Sequence, residues 1–202
     1  MAYKDEAMTK LRREDLWSLE DYDQRRPEFR RQVMAHKKNR VLVLGEHLRL
    51  CFEDRLTMQY QIQEMLRIEK VFDAAGIEDE LAAYNPLIPD GDNWKATLML
   101  EYDDVAERQR KVIELVGIEQ KVWLQVDGFA PVIPVADEDM ERSDAERTST
   151  VHFLRYQLTS EQVQAVRQGA EIYAGVDHPH YAVAGQTLPE KVQASLRADV
   201  AV

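Results

Sequence analysis

Two short stretches carry the side chains best suited to chemistry. The first is "LTMQYQIQEMLRIEK", where Gln61, Glu64, Arg67 and Glu69 are set among apolar residues. If the stretch is helical, 100° per residue gathers Met58, Ile62, Met65, Leu66, Ile68 and Phe72 on one broad face. Glu69 falls inside that face, Gln61 borders it, and Gln59, Gln63, Arg67 and Lys70 lie opposite. A carboxylate among apolar neighbours must be paired, hydrogen-bonded or protonated. Three roles stay open for Glu69: contact with an arginine or solvent at the helix end, a structural network with Gln61, or metal-ligand or acid–base work.

The second stretch is "DHPHY". Asp177, His178 and His180 have ligand types that suit a divalent transition metal, but a complete set needs at least one more ligand from elsewhere. Proline between the histidines equally suits a rigid turn after a strand. Glu64 or Glu69 would complete a metal-dependent enzyme. His152 shares a strand face with Leu154, Tyr156 and Leu158, which marks it as a satisfied core histidine. If its strand ran parallel to the one ending near Asp177, His152 and His178 would be roughly 20 Å apart, so the two are not expected to form one site.

A third feature is charge. Residues 25–40 hold seven bases (Arg25, Arg26, Arg30, Arg31, Lys37, Lys38 and Arg40) against one acid, Glu28. The segment is +6 in a chain of net charge −11, leaving −17 on the rest. So acidic a body argues against general affinity for nucleic acid. The basic run either pairs with acids of its own chain or docks an acidic partner, with Arg25, Arg26, Arg30, Arg31, Lys37 and Lys38 as the contact residues. Phe29, Val33 and Met34 would anchor that contact or pack onto the sheet.

Other signatures are missing. There is no Glu-x-x-His, His-Glu-x-x-His, Cys-x-x-Cys, glycine-rich phosphate loop or nucleophile elbow. The single cysteine, Cys51, rules out an internal disulfide framework and fits a reducing cytoplasm. Arg49 on the same strand face is placed to lower its pKa, but a lone strand cysteine reads first as an inert filler. No apolar run is long enough to span a bilayer, and "MAYKDEAMTK" lacks the apolar core of a signal peptide. A cytoplasmic location is expected.

These residues need elements to hold them. Ser18 is placed to cap a helix reaching about Lys38, bent or restarted at Pro27. "VLVL", Gly45-Glu46 and "HLRLCF" read as a hairpin with Leu48, Leu50 and Phe52 on one face. Asp54 caps the helix over 54–72, whose length exceeds that of a strand. Helix over 78–84, strand over 95–102 and a helix ending at Gly117 follow. "KVWLQV", Asp127-Gly128 and "FAPVIPV" read as a second hairpin, and residues 137–147 as a flexible acidic connection. The pattern closes with strand, capped helix, strand and a last helix from near Pro189. It describes one α+β domain over 1–202, with a mixed, largely antiparallel sheet, packed helices and a basic helical N-terminal arm (1–40) on a body (41–202).

The sequence resembles a bacterial family called domain of unknown function 3501. The likeness rests on "FEDRLTMQYQIQEMLRIEK", "YNPLIP", "ATLMLEY", "VHFLRYQLT" and "DHPHY", with Gln61 to Arg67 its most specific piece. The resemblance brings no catalytic residues with it. It implies gene neighbours of the rubrerythrin and iron–sulfur oxidoreductase kinds, and hence a role beside redox chemistry. An accessory or binding protein with an acidic redox partner is therefore one expectation, and a metal-dependent enzyme the alternative.

Overall fold

The computed structural model describes residues 9–200; the stretch "MAYKDEAMTK", read above for a signal-peptide pattern, falls almost wholly outside them. Ser18 opens α1 (Leu19–Lys37), its hydroxyl accepting the Asp21 amide at 3.1 Å. Pro27 sits inside this helix without ending it. The hairpin β1 (Val41–Leu44) and β2 (Leu48–Glu53) follows. Its turn needs Gly45, because φ is +70° and a Cβ would lie 2.5 Å from the Tyr181 hydroxyl. Asp54 and Thr57 cap each other's amides at the start of α2 (Arg55–Glu69). α3 (Ala74–Tyr84), β3 (Asn93–Leu100) and α4 (Val105–Glu114) complete the first half. β4 (Val122–Val126), β5 (Val135–Ala136), β6 (Val151–Gln157), α5 (Ser160–Arg167), β7 (Ile172–His178), β8 (Tyr181–Thr187) and α6 (Glu190–Ala198) complete the second.

The fold class is α+β. Strands form a five-stranded sheet, β1-β2-β3-β6-β5, and a three-stranded sheet, β4-β7-β8, with every ladder antiparallel. Leu50, Phe52, Trp94, Leu98, Leu124, Tyr156 and Val176 fill one continuous core shared by both sheets. Fully burying such side chains contributes roughly 1.5–3 kcal/mol each. Two connections join the sheets at their edges. The segment after β4 bridges to it at Leu124–Val132 and then pairs with β6 as β5. On the other side the Tyr181 hydroxyl donates to Leu44 O at 2.7 Å and accepts the His47 and Leu48 amides.

Two expectations are corrected here. β6 and β7 belong to different sheets, so no parallel crossover joins them. β4 takes β7 as its main partner, not the segment after Gly128, because "FAPVIPV" has two prolines that cannot donate to a ladder. Strand β8 was not visible as a strand in the sequence; it is an exposed edge whose Ala, Gly and Gln residues carry little strand signal.

Beside the sheets, α1, α2 and α3 pack on one another around two smaller cores. One holds Met58, Ile62, Leu66, Leu81 and Ile88, the other Tyr22, Phe29, Val33 and Tyr60. Among the described residues no helix is long and apolar enough to cross a membrane.

Candidate functional site

Glu64 is the best-connected acid of α2. Its Oε1 accepts from the Tyr22 hydroxyl at 2.6 Å and Arg26 Nε at 2.7 Å, and its Oε2 from Arg26 Nη2 at 2.8 Å. Arg67 Nε stands 3.6 Å away. The Arg26 hydrogen bonds, then Tyr22, hold the Glu64 carboxyl down to about 2. An acid so fully engaged ties α1 to α2 rather than presenting a free base or ligand.

The amides of α2 do related work on the preceding segment. Gln63 is fully buried, and its Oε1 accepts the Trp17 amide at 2.7 Å. Gln59 donates to Asp15 O at 2.8 Å. The network amide is thus Gln63, not Gln61, whose side chain makes no hydrogen bond among the described residues.

Glu69 does not point inward. It is the last residue of α2, exposed, as are Ile68 (61%) and Phe72 (77%). The cause is local: Lys70 takes a left-handed conformation and ends the helix, so a projection carried to Phe72 continues past the real element. The buried line is Met58, Ile62 and Leu66, at i, i+4 and i+8.

"DHPHY" is a hairpin turn. Asp177 and His178 end β7, Tyr181 begins β8, and Pro179-His180 connect them. His178 is buried; its Nε2 donates to Val116 O at 3.1 Å and its Nδ1 accepts the His180 amide at 3.2 Å. Asp177 points to the exposed face and His180 is exposed. Among the described residues no three His, Cys, Asp or Glu side chains are grouped to hold a metal. Glu64, Glu69, Asp177, His178 and His180 are therefore not assembled into a ligand set. Cys51 fits the reading as an inert filler: burial, then Glu53, push its thiol up to about 11, outweighing Arg49.

His152 is fully buried and satisfied. Its Nδ1 donates to Asp137 Oδ2 at 2.6 Å, while Nε2 lies 2.8 Å from Thr148 Oγ1 and 3.1 Å from Ser149 O. Asp137 also accepts the Phe153 amide and Arg142 Nη1. The acidic connection is hence pinned at both ends to β6, not loosely tethered.

The basic run divides. Arg26 turns in to Glu64, and Arg40, 2% exposed, meets Asp199, Asp54, Ser195 and the carbonyls of Phe52 and Glu53. Arg25 lies over the Trp17 ring and Arg31 pairs with Glu28. Arg30 and Lys38 are exposed, without an ion pair among the described residues. Phe29 and Val33 are buried and so pack inward.

This geometry names no reaction, and comparison with known proteins agrees. The model of a family described as protein of unknown function (DUF3501) matches residues 10–200. The chain belongs to that family. A crystal structure of a novel protein of unknown function from Burkholderia pseudomallei is similar to it, with 48% identity over 96% of this chain and 100% of that one, at a TM-score of 0.92. No curated protein matches. The family thus supplies a fold and a sequence pattern, without an activity.

One further arrangement escaped the sequence reading. Lys95 on β3 and Arg155 on β6 are register partners on the sheet face that α3 and its following loop cover. Arg155 is clamped by Glu138 through two hydrogen bonds, at 2.7 and 2.8 Å. Alternation along "WKATLML" shows which face Lys95 takes, but nothing local shows that the 85–92 loop roofs it.

Proposed function

We propose that the chain is a cytoplasmic binding or accessory protein that receives an acidic protein partner on the outer side of α1. The supporting observation is the division of the basic run. Arg26 and Arg40 are spent on internal acids, whereas Arg30 and Lys38 are exposed and unpaired among the described residues, with Arg25 and Arg31 exposed nearby. The chain carries −11 overall, so its field repels acidic proteins except over this patch and orients their approach. Because Phe29 and Val33 face inward, the contact has little apolar anchoring; it is fast, weak and salt-sensitive.

The redox character of the partner rests on the family resemblance and its implied gene neighbours. Purified acidic iron–sulfur proteins of the source cell are the probes. Binding should be measurable at low salt and largely lost by ~0.3 M salt, where the Debye length falls to about 6 Å. Salt-independent binding, or none to any such protein, removes the reading.

A further inference from the structure

The helical layer leaves a groove where α1 begins, α2 ends and α3 follows. Its volume is about 300 Å³, and Leu16, Leu19, Leu66, Val71 and Ile77 line it. An apolar cavity of about 150 Å³ already holds a benzene ring, so the groove has room for two large apolar side chains. The left-handed Lys70 ends α2, which leaves Phe72 in the connection to α3 and at the edge of the groove. Phe72 is 77% exposed, the most exposed large apolar side chain among the described residues. Exposed apolar surface inside a polar rim is the pattern of a protein contact.

The rim is acidic. Residues 69–80 carry Glu69, Asp73, Glu78, Asp79 and Glu80 against one base, Lys70, and Glu20 follows Leu19 on α1. Arg13 is the one cation among the lining residues. None of these charged groups has an ion pair among the described residues. Glu80 shows the crowding: burial, then Glu69 and Asp79, raise its carboxyl above the ordinary value. Acids from the end of α2 and from α3 thus converge with no cation paired to them.

We infer that this groove docks a basic, apolar segment of a partner protein. The segment's apolar side chains enter the groove against Phe72, and its lysines or arginines meet Glu69, Glu78, Asp79 and Glu80. Charge complementarity selects this occupant. A second copy of the chain would set one acidic rim against another, and an anionic membrane surface would be repelled in the same way. The lining includes none of Arg25, Arg30, Arg31 and Lys38, so this docking stands or falls separately from that on the outer side of α1.

A fluorescent peptide, Lys-Leu-Leu-Lys-Phe-Leu-Lys, titrated with the full chain and followed by anisotropy tests this. Its counterpart carries serine for each leucine and phenylalanine. The first should bind saturably and the serine peptide at least ~10-fold more weakly, as expected when the apolar anchors of a contact are removed. Phe72→Ser should keep the fold, its side chain being mostly in water, and weaken the first peptide severalfold. Glu78→Lys with Asp79→Lys should weaken it about tenfold or more through like-charge repulsion. The same charge change on the 137–147 connection, Glu141→Lys with Glu146→Lys, should leave it nearly unchanged. Absence of saturable binding, equal affinity for the two peptides, unchanged affinity in Phe72→Ser, or equal losses from the two charge reversals overturns the inference. So does a wild-type dimer in sedimentation that Phe72→Ser splits, because a second copy would then be the occupant.

Discussion

Arg26 on α1 and Glu64 on α2 meet in a two-pronged ion pair, at 2.7 and 2.8 Å, closed by the Tyr22 hydroxyl. This contact fixes which side of α1 faces the body, and so which bases are left outside. Breaking it should be costly, since Glu64→Gln removes the charge opposite Arg26 and turns the oxygen that accepts Arg26 Nη2 into an amide donor, in a largely enclosed place. A loss of about 1–3 kcal/mol at neutral pH is expected, read from urea denaturation.

The same pair sets an acid dependence. Glu64 titrates near 2 in the fold against about 4.3 in an unfolded chain, so it binds fewer protons when folded. Its stabilisation is fully present above about pH 4.3 and drains away as pH falls toward 2. Wild type should lose stability across that window more steeply than Glu64→Gln. Parallel acid limbs in the two proteins would show that Glu64 is not the group responsible.

Arg40 is a different case, because its guanidinium sits among Asp199, Asp54 and two carbonyls with almost no exposure. Arg40→Ala leaves buried acids unpaired, for which about 3–5 kcal/mol is typical. It should unfold far more readily than Arg30→Ala, which touches no ion pair among the described residues and should stay within about 0.5 kcal/mol of wild type.

Positions 63 and 69 separate two faces of α2. Glu69→Leu should change stability by no more than about 0.5 kcal/mol, as befits an exposed helix end. Gln63→Leu should cost about 1–3 kcal/mol, because the Trp17 amide then has no acceptor. Thermal melts of the two variants suffice, and equal effects would contradict the observed burial.

His152 should govern the acidic connection after β5. Replacing it with Leu removes the Asp137 and Thr148 contacts while keeping an apolar residue in the core. Limited proteolysis should then cut within residues 138–147 at a rate well above wild type, with the sheets intact. An unchanged cleavage pattern would mean that Arg142 and the backbone hold the segment without the histidine.

The elements written in local signals were readable from the chain. Ser18, Asp54 and Thr159 mark the starts of α1, α2 and α5 by the capping bonds later seen. The β1–β2 hairpin is legible from Gly45 and from the alternation of Leu48, Leu50 and Phe52. Partners far apart in sequence were not legible. Nothing near Trp123 says that β4 lies along β7, since the choice depends on which sheet edge remains open after the core closes.

The candidate sites follow the same division. Glu64 and Arg67 were recognised on α2, but Tyr22 and Arg26 as their partners require knowing how α1 crosses. Glu69 was misread because helical periodicity does not show where the helix stops, and Lys70 stops it. The Asp137–His152 pair spans an aperiodic loop, whose unusual positive φ at Asp137 leaves no mark in composition.

Docking through the outer side of α1 is tested most directly by charge reversal. The double variant Arg30→Glu with Arg31→Glu should fold and melt like wild type, as both side chains are exposed and only a surface pair to Glu28 is lost. Its affinity for a purified acidic iron–sulfur protein that binds wild type at low salt should fall at least ~10-fold, mainly through slower association. Equal association rates for the two proteins would contradict docking at α1.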